Sequence, residues 1–302
     1  MRVIFFLLVF VPLIVVAQDY PDSLSWKIEL ERVNHGRVTT LTGNLEQLKN
    51  IGQLMHKHVE KYMPDDNISI LMTFAGTNVS LHDTLPVKKV KKFLSEHSIL
   101  LSYCETFNFY PSLWRNPYEG NDQLGVLAEI DQVTKPAQGT GSFHMKGKNY
   151  PNKRYACSLV RVLNGWDMNT VSINLPQEVD SANLWFYMDV YGRGDSDAVF
   201  TLKVRERGKD AVYNNNAFDY YQYDIPLNFT GWKQVAVRYS DMTSSIFIDM
   251  NNNRISGDMS DRKKEVKYLQ DINYILSSTK DDKVVEVNLD NLMILYNKNG
   301  NN

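Results

Sequence analysis

Short apolar runs separated by turn residues fill the second half of this 302-residue sequence. This pattern is typical of short β-strands and excludes most folds that are built on helices. Helical spacing of apolar residues disappears there, and the turns recur at intervals typical of an all-β sandwich. We therefore predict one antiparallel sandwich over residues 140–297, with a short disordered tail at 298–302. Its predicted strands are 156–163, 170–175, 183–190, 198–205, 221–227, 232–239, 245–250 and 284–295, with a long connection at 251–261.

The sequence before residue 131 has a different character, which is typical of a small α+β domain. Alternation from Trp26 predicts a strand, and Asn34-His35-Gly36 supplies the turn of a hairpin. The other predicted elements are a helix over 45–62 capped by Asn44, a strand at 67–74, a second helix opened by Pro86, and an extended segment at 100–107. We thus expect an α+β N-terminal domain at 18–130, joined to the sandwich by a linker at 131–139.

Residues 1–17 have the composition of a secretory signal peptide. Arg2 precedes an apolar run over 3–16, and Val15 and Ala17 place small residues before the expected cleavage site. The run is too short for a comfortable membrane span, so we expect export to the periplasm or the medium and no membrane span in the mature protein. The Val-Ala-Gln ending resembles signal peptides of Bacteroidetes.

Charge and cysteine content narrow the function classes. The formal net charge of −2 excludes a dedicated nucleic-acid binder. Cys104 and Cys157 fall in different predicted domains, where a disulfide and two buried free thiols remain alternatives. The sequence contains no zinc-type spacing, no P-loop and no Gly-x-Ser-x-Gly elbow, so it gives no catalytic residue.

Two segments of the predicted sandwich carry motifs in a familiar order. Phe229-x-Gly231-Trp232 lies within residues 223–237, and Asp290-Asn291 lies within an apolar segment near the end of the sandwich. This pair resembles the motifs of galactose-binding-like β-jelly-rolls, which occur as carbohydrate-binding modules and as the N-terminal jelly rolls of chondroitinase-type polysaccharide lyases. The resemblance covers residues 140–297 and implies a jelly roll that binds carbohydrate. Because the chain ends at the jelly roll, we expect no helical toroid that would supply lyase catalytic groups.

The residues of these motifs are expected to be structural. We predict that Phe229, Trp232, Val235 and Leu292 are buried in the sandwich core. Asp290 is expected to bond neighbouring backbone, or a structural calcium ion of the kind that related jelly rolls hold away from the sugar. No other cofactor is expected.

A sugar site needs flat aromatic faces beside amide and carboxylate groups, because pyranose C–H faces stack while hydroxyls need directional partners. The candidates that combine these groups near predicted turns are Asn164, Trp166, Tyr213, Asn214, Tyr220 and Tyr221. For the tyrosines the alternative is simple alternation along a strand, since aromatic residues at every second position are normal sheet packing.

The leading hypothesis is an exported, non-catalytic protein that binds polysaccharide or oligosaccharide, or assists a system that uses polysaccharide. The runner-up is a small hydrolase or lyase with an appended jelly roll, since paired carboxylates need nearness in space and not in sequence. A structural or adhesive protein-binding module is the third hypothesis. Lys88, Lys89, Lys91 and Lys92 form a basic helix face that is either simply solvated or attracts sulfated or uronic polysaccharide.

Overall fold

The computed structural model describes residues 25–102, 104, 114–115, 129–131, 137, 139–148, 156–163, 173–207, 218–245 and 263–298. Within these residues most of the chain is β-strand, and every strand pair is antiparallel. The strands form one four-stranded sheet and two six-stranded sheets. The two larger sheets pack together as a β-sandwich with a shared apolar core.

The N-terminal unit, residues 25–97, is built on the four-stranded sheet in the order β2-β1-β3-β4. Its strands are β1 (Ser25–Arg32), β2 (Gly36–Asn44), β3 (Asn67–Phe74) and β4 (Ser80–Pro86). A 3-10 helix, Leu45–Asn50, leads into α1 (Ile51–Val59), and a second 3-10 helix, Val87–Lys92, leads into α2 (Phe93–His97).

The turn and the helix cap that the sequence predicted in this unit are both present in the structure. The β1–β2 turn holds Asn34 and Gly36 at φ 65° and 83°, a left-handed conformation that asparagine and glycine tolerate. Asn44 caps the first 3-10 helix, with its backbone N–H donating to Gln47 Oε1 at 3.2 Å. The hairpin and the capping box are confirmed, whereas β4 was not predicted.

Sheet I of the sandwich has the strand order β13-β10-β16-β8-β7, with β5 also paired to β16. Its strands are β5 (Ser98–Ser102), β7 (Glu129–Asp131), β8 (Ser142–Lys148), β10 (Leu184–Arg193), β13 (Thr230–Arg238) and β16 (Val284–Tyr296). Sheet II has the order β14-β12-β11-β15-β9-β6. Its strands are β6 (Trp114–Arg115), β9 (Cys157–Val162), β11 (Ala198–Arg207), β12 (Phe218–Pro226), β14 (Thr243–Ser245) and β15 (Leu269–Ser278).

Strand pairing places the start of the sandwich earlier in the chain than the predicted boundary near residue 131. β5 pairs with β16, β6 pairs with β9, and β7 pairs with β8. The expected linker at 131–139 therefore begins inside a strand of sheet I. These short strands are set by partners distant in sequence, which local periodicity does not reveal. Whether the N-terminal unit is a domain that folds by itself stays a prediction.

Alternate residues of the facing strands fill the sandwich core. Phe186 and Val190 from sheet I meet Phe200 and Leu202 from sheet II. Leu292 is fully buried there, as predicted, and Phe229 and Val235 are partly buried against the same core. Cys104 and Cys157 are also buried in it as free thiols, and burial raises the pKa of both.

Trp232 is buried as expected, but it lies outside the sandwich core. Because Val235 and Val237 point inward along β13, Trp232 and Ala236 point to the opposite face of sheet I. There Trp232 belongs to the core of the N-terminal unit together with Trp185. The prediction of its burial was right, and the prediction of its place in the sandwich core was wrong, since a second layer covers this face.

Polar contacts also fix the N-terminal unit to sheet I. The His97 ring nitrogens lie 2.9 Å from the Tyr296 carbonyl oxygen and 3.0 Å from Asp83 Oδ2. The Asn297 amide accepts from the backbone N–H of His82 at 3.0 Å and donates to the Ser80 carbonyl at 2.8 Å. The end of β16 is thus bound to the N-terminal unit by side chains from both partners.

Candidate functional site

The outer face of sheet II, which points away from the sandwich core, carries the main cluster of polar and aromatic side chains. Its position follows from strand alternation, because Leu202 and Val204 of β11 point into the core and their neighbours point outward. Three adjacent strands, β12, β11 and β15, supply it. We define this outer face by six residues, Lys203, Arg205, Phe218, Tyr220, Asp271 and Asn273.

Charged groups hold the outer face together. The Arg205 guanidinium forms an ion pair with Asp271 on the neighbouring strand, and Asn273 Nδ2 donates to Asp271 Oδ1 at 2.8 Å. The Arg205 guanidinium carbon lies 4.8 Å from the Phe218 ring centroid, within cation–π range. Lys203 Nζ lies 5.4 Å from the Tyr220 ring centroid. Each ring is therefore fixed by a cation.

The Tyr220 phenol stays protonated in this setting. Its pKa is raised above the usual value mainly by burial, with a further increase from the Asp271 charge that Arg205 opposes. A neutral phenol both donates and accepts hydrogen bonds. The outer face accordingly offers donors, acceptors and flat rings side by side.

The side chains of the outer face are covered. The exposed fraction is 5% for Tyr220, 3% for Phe218 and 2% for Asp271. The rings of Tyr220 and Phe218 are therefore not open to solvent in this structure.

The two neighbouring tyrosines that the sequence singled out lie on opposite faces of sheet II. Tyr220 belongs to the outer face, whereas Tyr221 is in the sandwich core, edge-on to Tyr239 at 5.6 Å between ring centroids. Tyr221 is therefore corrected to a core residue, because successive side chains of a strand alternate between faces. The other four candidates lie outside the described residues and stay predictions: Asn164, Trp166, Tyr213 and Asn214.

Sequence analysis missed most of the outer face. Lys203 and Arg205 alternate with apolar residues along β11, which was a usable signal for an outward polar row. Asp271 and Asn273 alternate in the same way with Ile272 and Tyr274, but β15 itself was not predicted, so the signal was not used. Only the pairing of β11 with β15 brings these carboxylate, amide and cationic groups together.

A second polar cluster lies on the core side of sheet II. Glu206 and Asp219 face each other across β11 and β12 and are 2% and 1% exposed. The Tyr239 hydroxyl donates to Glu206 Oε2 at 2.5 Å, and the backbone N–H of Glu265 donates to Oε1 at 2.9 Å. Burial, with a smaller contribution from the Asp219 charge, raises the pKa of Glu206 to about 8. Glu206 is therefore mostly protonated at neutral pH.

A third cluster surrounds the Asp290-Asn291 motif on the covered face of sheet I. Asp290 Oδ1 accepts from the Asn291 backbone N–H at 2.7 Å, the backbone bond expected of this aspartate. Asp189 accepts from Asn291 Nδ2 at 2.7 Å and from the Tyr187 hydroxyl at 3.1 Å. Burial raises the pKa of Asp189 to about 7. These bonds satisfy a buried carboxylate and are a structural use of the motif.

The described residues contain no group of three or more His, Cys, Asp or Glu side chains placed to hold a metal ion. Near the Arg193-Gly194 turn, a protein cation lies between carboxylates, since Lys283 Nζ bonds both Asp195 and Asp197. A structural calcium ion stays a prediction. Of the helices in the described part of the chain, none has the length and apolar character needed to cross a membrane.

Comparison with known proteins gives similar structures but no related sequence. No family model matches the sequence, and no curated protein matches it. The chain is similar to a family 11 carbohydrate-binding module from Clostridium thermocellum in complex with a beta-1,3-1,4-mixed-linked tetrasaccharide, at 14% identity and a TM-score of 0.42, covering 67% of this chain and 96% of that one.

Two further solved structures are similar at comparable values. SGBP-B from a complex xyloglucan utilization locus in Bacteroides uniformis is 12% identical with a TM-score of 0.38, covering 92% of this chain and 70% of that chain. CBM27-1 from Caldicellulosiruptor saccharolyticus, in complex with mannohexaose, is 8% identical with a TM-score of 0.34, covering 65% and 95%. The similar structures are thus of the carbohydrate-binding type that the sequence motifs resembled. The fold itself rests on the strand pairing described above.

Proposed function

We propose that this chain is an exported, non-catalytic protein that binds polysaccharide or oligosaccharide through the outer face of sheet II. The observation that carries the proposal is the cluster of two aromatic rings, an arginine–carboxylate pair, an amide and an ammonium on three adjacent strands. Export rests on residues 1–17, which have the composition of a signal peptide.

The chemistry of the outer face suits a pyranose. Phe218 and Tyr220 provide rings against which sugar C–H groups pack, and Asp271 and Asn273 provide acceptors and donors for hydroxyls. Arg205 fixes both a ring and the carboxylate, so little side-chain freedom is left to lose on binding. Sites held by strands are also more precise than sites held by loops. The groups of the outer face are therefore already held in place, but they are buried in this structure, so the proposal requires that the face becomes accessible to the glycan.

Tyr220→Ala should weaken glycan binding by about ten- to a hundredfold, since one stacked ring contributes about 1–3 kcal/mol on comparable aromatic platforms. Affinity electrophoresis of the mature protein against a panel of neutral and acidic polysaccharides identifies a ligand, and calorimetry then measures both affinities. Tyr223→Ala is the matched control, because Tyr223 is on the same strand, is 42% exposed and does not belong to the outer face.

Two results would contradict this assignment. One is a folded Tyr220→Ala protein that binds the identified glycan with wild-type affinity. The other is a mature protein that retains no glycan of the panel at all. Loss of binding in Tyr223→Ala alone would move the site to the edge of sheet II.

The enzyme hypothesis remains the runner-up, and the Glu206–Asp219 pair is the observation that favours it. Two carboxylates, one of them protonated at neutral pH, are the groups that glycoside hydrolysis uses. Both are buried on the core side and Glu206 is bonded to Tyr239 and to backbone, which favours a structural role.

We expect the mature protein to release no reducing ends or unsaturated products from any polysaccharide it binds. The measurement is a reducing-end assay and absorbance at the wavelength of unsaturated uronates, with Glu206→Gln and Asp219→Asn variants alongside. Turnover that disappears in either variant while glycan binding remains would establish the enzyme hypothesis instead.

A further inference from the structure

Two neighbouring helices of the N-terminal unit carry exposed lysines. α1 and the 3-10 helix Val87–Lys92 lie against each other so closely that a Cβ added to Gly52 would come within 2.2 Å of the Lys91 carbonyl oxygen. The exposed lysines therefore stand on two elements that are in contact. We define the lysine patch as the exposed lysines of this surface, Lys57, Lys61, Lys88, Lys89, Lys91 and Lys92.

Helix geometry aligns the lysines in rows. In a 3-10 helix residues three apart lie above one another, so Lys88 aligns with Lys91 and Lys89 aligns with Lys92. Val90, between these rows, is fully buried in the core of the unit. The ammonium groups are consequently held on one side of a fixed element.

The carboxylates around the patch neutralise little of its charge. Lys88 pairs with Asp65, while Glu60 lies near His56 at 3.8 Å and Glu96 pairs with Lys298 at 3.1 Å. Within the described residues no ion pair involves Lys89, Lys91, Lys92, Lys57 or Lys61. A concentrated positive surface thus occurs on a chain whose formal net charge is −2.

Folding alone does not account for this arrangement. Lys57 near the C-terminus of α1 is favoured by the helix dipole. The last turn of Val87–Lys92 likewise holds Lys89, Lys91 and Lys92, where the helix dipole favours a cation, but like charges this close together repel. A polyanion bound at this surface would supply counter-charge that the nearby carboxylates do not.

We propose that the lysine patch is a docking surface for a polyanionic polysaccharide that carries carboxylate or sulfate groups. This proposal rests on the proposed function, because it assumes that the protein binds glycans. It concerns a different surface, which lies on the N-terminal unit. An anionic membrane fits less well, because membrane-binding helices combine basic residues with exposed apolar ones. Met63, close to Lys61 in the chain, is 70% exposed, but α1 and Val87–Lys92 themselves expose no large apolar side chain, so the patch lacks the apolar row of such a helix.

The test measures retention of the mature protein in gels that contain polygalacturonate, dextran sulfate or unmodified dextran. At about 0.02 M salt the wild type should be retained by one or both polyanions and not by dextran, and about 0.5 M salt should release it, since screening shortens the range of the attraction. The triple variant Lys89→Gln, Lys91→Gln, Lys92→Gln should bind at least about tenfold more weakly.

The matched control removes the same charge elsewhere. Lys27→Gln, Lys146→Gln, Lys280→Gln changes three exposed lysines that lie on other surfaces, and it should bind as the wild type does. Melting temperatures of both triple variants verify that each remains folded. Retention by polygalacturonate alone, or by dextran sulfate alone, identifies which anion the patch accepts.

Several results would overturn the proposal. They are a wild type that neither polyanion retains, equal weakening by the two triple variants, and binding to anionic phospholipid vesicles without binding to either polyanion. Tyr220→Ala separates the two sites, because it should leave polyanion binding unchanged. If Tyr220→Ala abolishes polyanion binding and the triple variant does not, the outer face of sheet II is the anion site and the lysine patch is not.

Discussion

Trp232→Ala should lower the free energy of unfolding by about 3–5 kcal/mol, the usual cost of removing a large buried aromatic ring. Trp232 is 7% exposed, lies 5.4 Å from the Tyr191 ring, and belongs to the core of the N-terminal unit. The cavity would therefore open between this unit and sheet I. Because the two share one apolar cluster, we expect a single unfolding transition that moves to lower denaturant concentration.

Denaturation followed by tryptophan fluorescence and by circular dichroism measures this effect. Phe229→Ala is the control, because Phe229 directly precedes β13, the strand that contains Trp232, but is only partly buried against the sandwich core. Phe229→Ala should lower the free energy of unfolding clearly less than Trp232→Ala does. Two separate transitions in the wild type would show that the N-terminal unit is an independent domain, and an unchanged Trp232→Ala midpoint would contradict the shared core.

Glu206→Gln should remove much of the pH dependence of stability between about pH 4.5 and pH 8. The folded pKa of Glu206 is about 8 against an ordinary value of 4.5, so the folded state holds a proton that the unfolded state has lost. Stability contributed by this proton is present below pH 4.5 and is lost as the pH rises toward 8. The burial of Asp189, with a pKa of about 7, acts in the same direction.

Glutamine has nearly the same shape and never ionises. Its Oε1 can accept from the Glu265 N–H, and its Nε2 can donate to the Tyr239 hydroxyl once that hydroxyl has rotated to accept. At pH 8 the variant should therefore be more stable than the wild type by on the order of 4 kcal/mol. Urea denaturation at a series of pH values gives the comparison. Glu60→Gln, the same substitution at an exposed position, is the control for the substitution itself. A Glu206→Gln profile parallel to that of the wild type would mean that Glu206 is ionised in the folded protein at neutral pH.

The sandwich was predictable because its long strands are rich in apolar residues and are bounded by turn residues. β10, β11, β13 and β16 were each found within a few residues of their observed ends. β15 was missed, since Gln270, Asp271 and Asn273 interrupt its apolar run. A strand with polar residues on its outward positions has a weaker pattern than a strand that is apolar throughout.

The site was less predictable than the fold, for reasons of geometry. Tyr220 was chosen because aromatic and amide residues crowd together around it in the sequence. To assign Tyr220 and Tyr221 to opposite faces of sheet II, one must know which residues of β12 point outward, and the sequence did not give this. Arg205 and Asp271 become neighbours only through the β11–β15 pairing, across a long stretch of sequence. Trp232 was placed in the wrong layer because no sequence signal showed that the N-terminal unit covers sheet I.

The position of β16 has a consequence for when the protein can fold. β16 is a central strand that pairs with β10, β8 and β5, and its end holds the N-terminal unit through Tyr296 and Asn297. It follows the other strands of sheet I in the chain, so the sheet lacks its middle until this strand has been made. Contacts of such long sequence separation form slowly. Sheet I therefore cannot close around the sandwich core before β16 has been made, and the export that we propose would act on a chain in which β10, β8 and β5 still lack their shared neighbour.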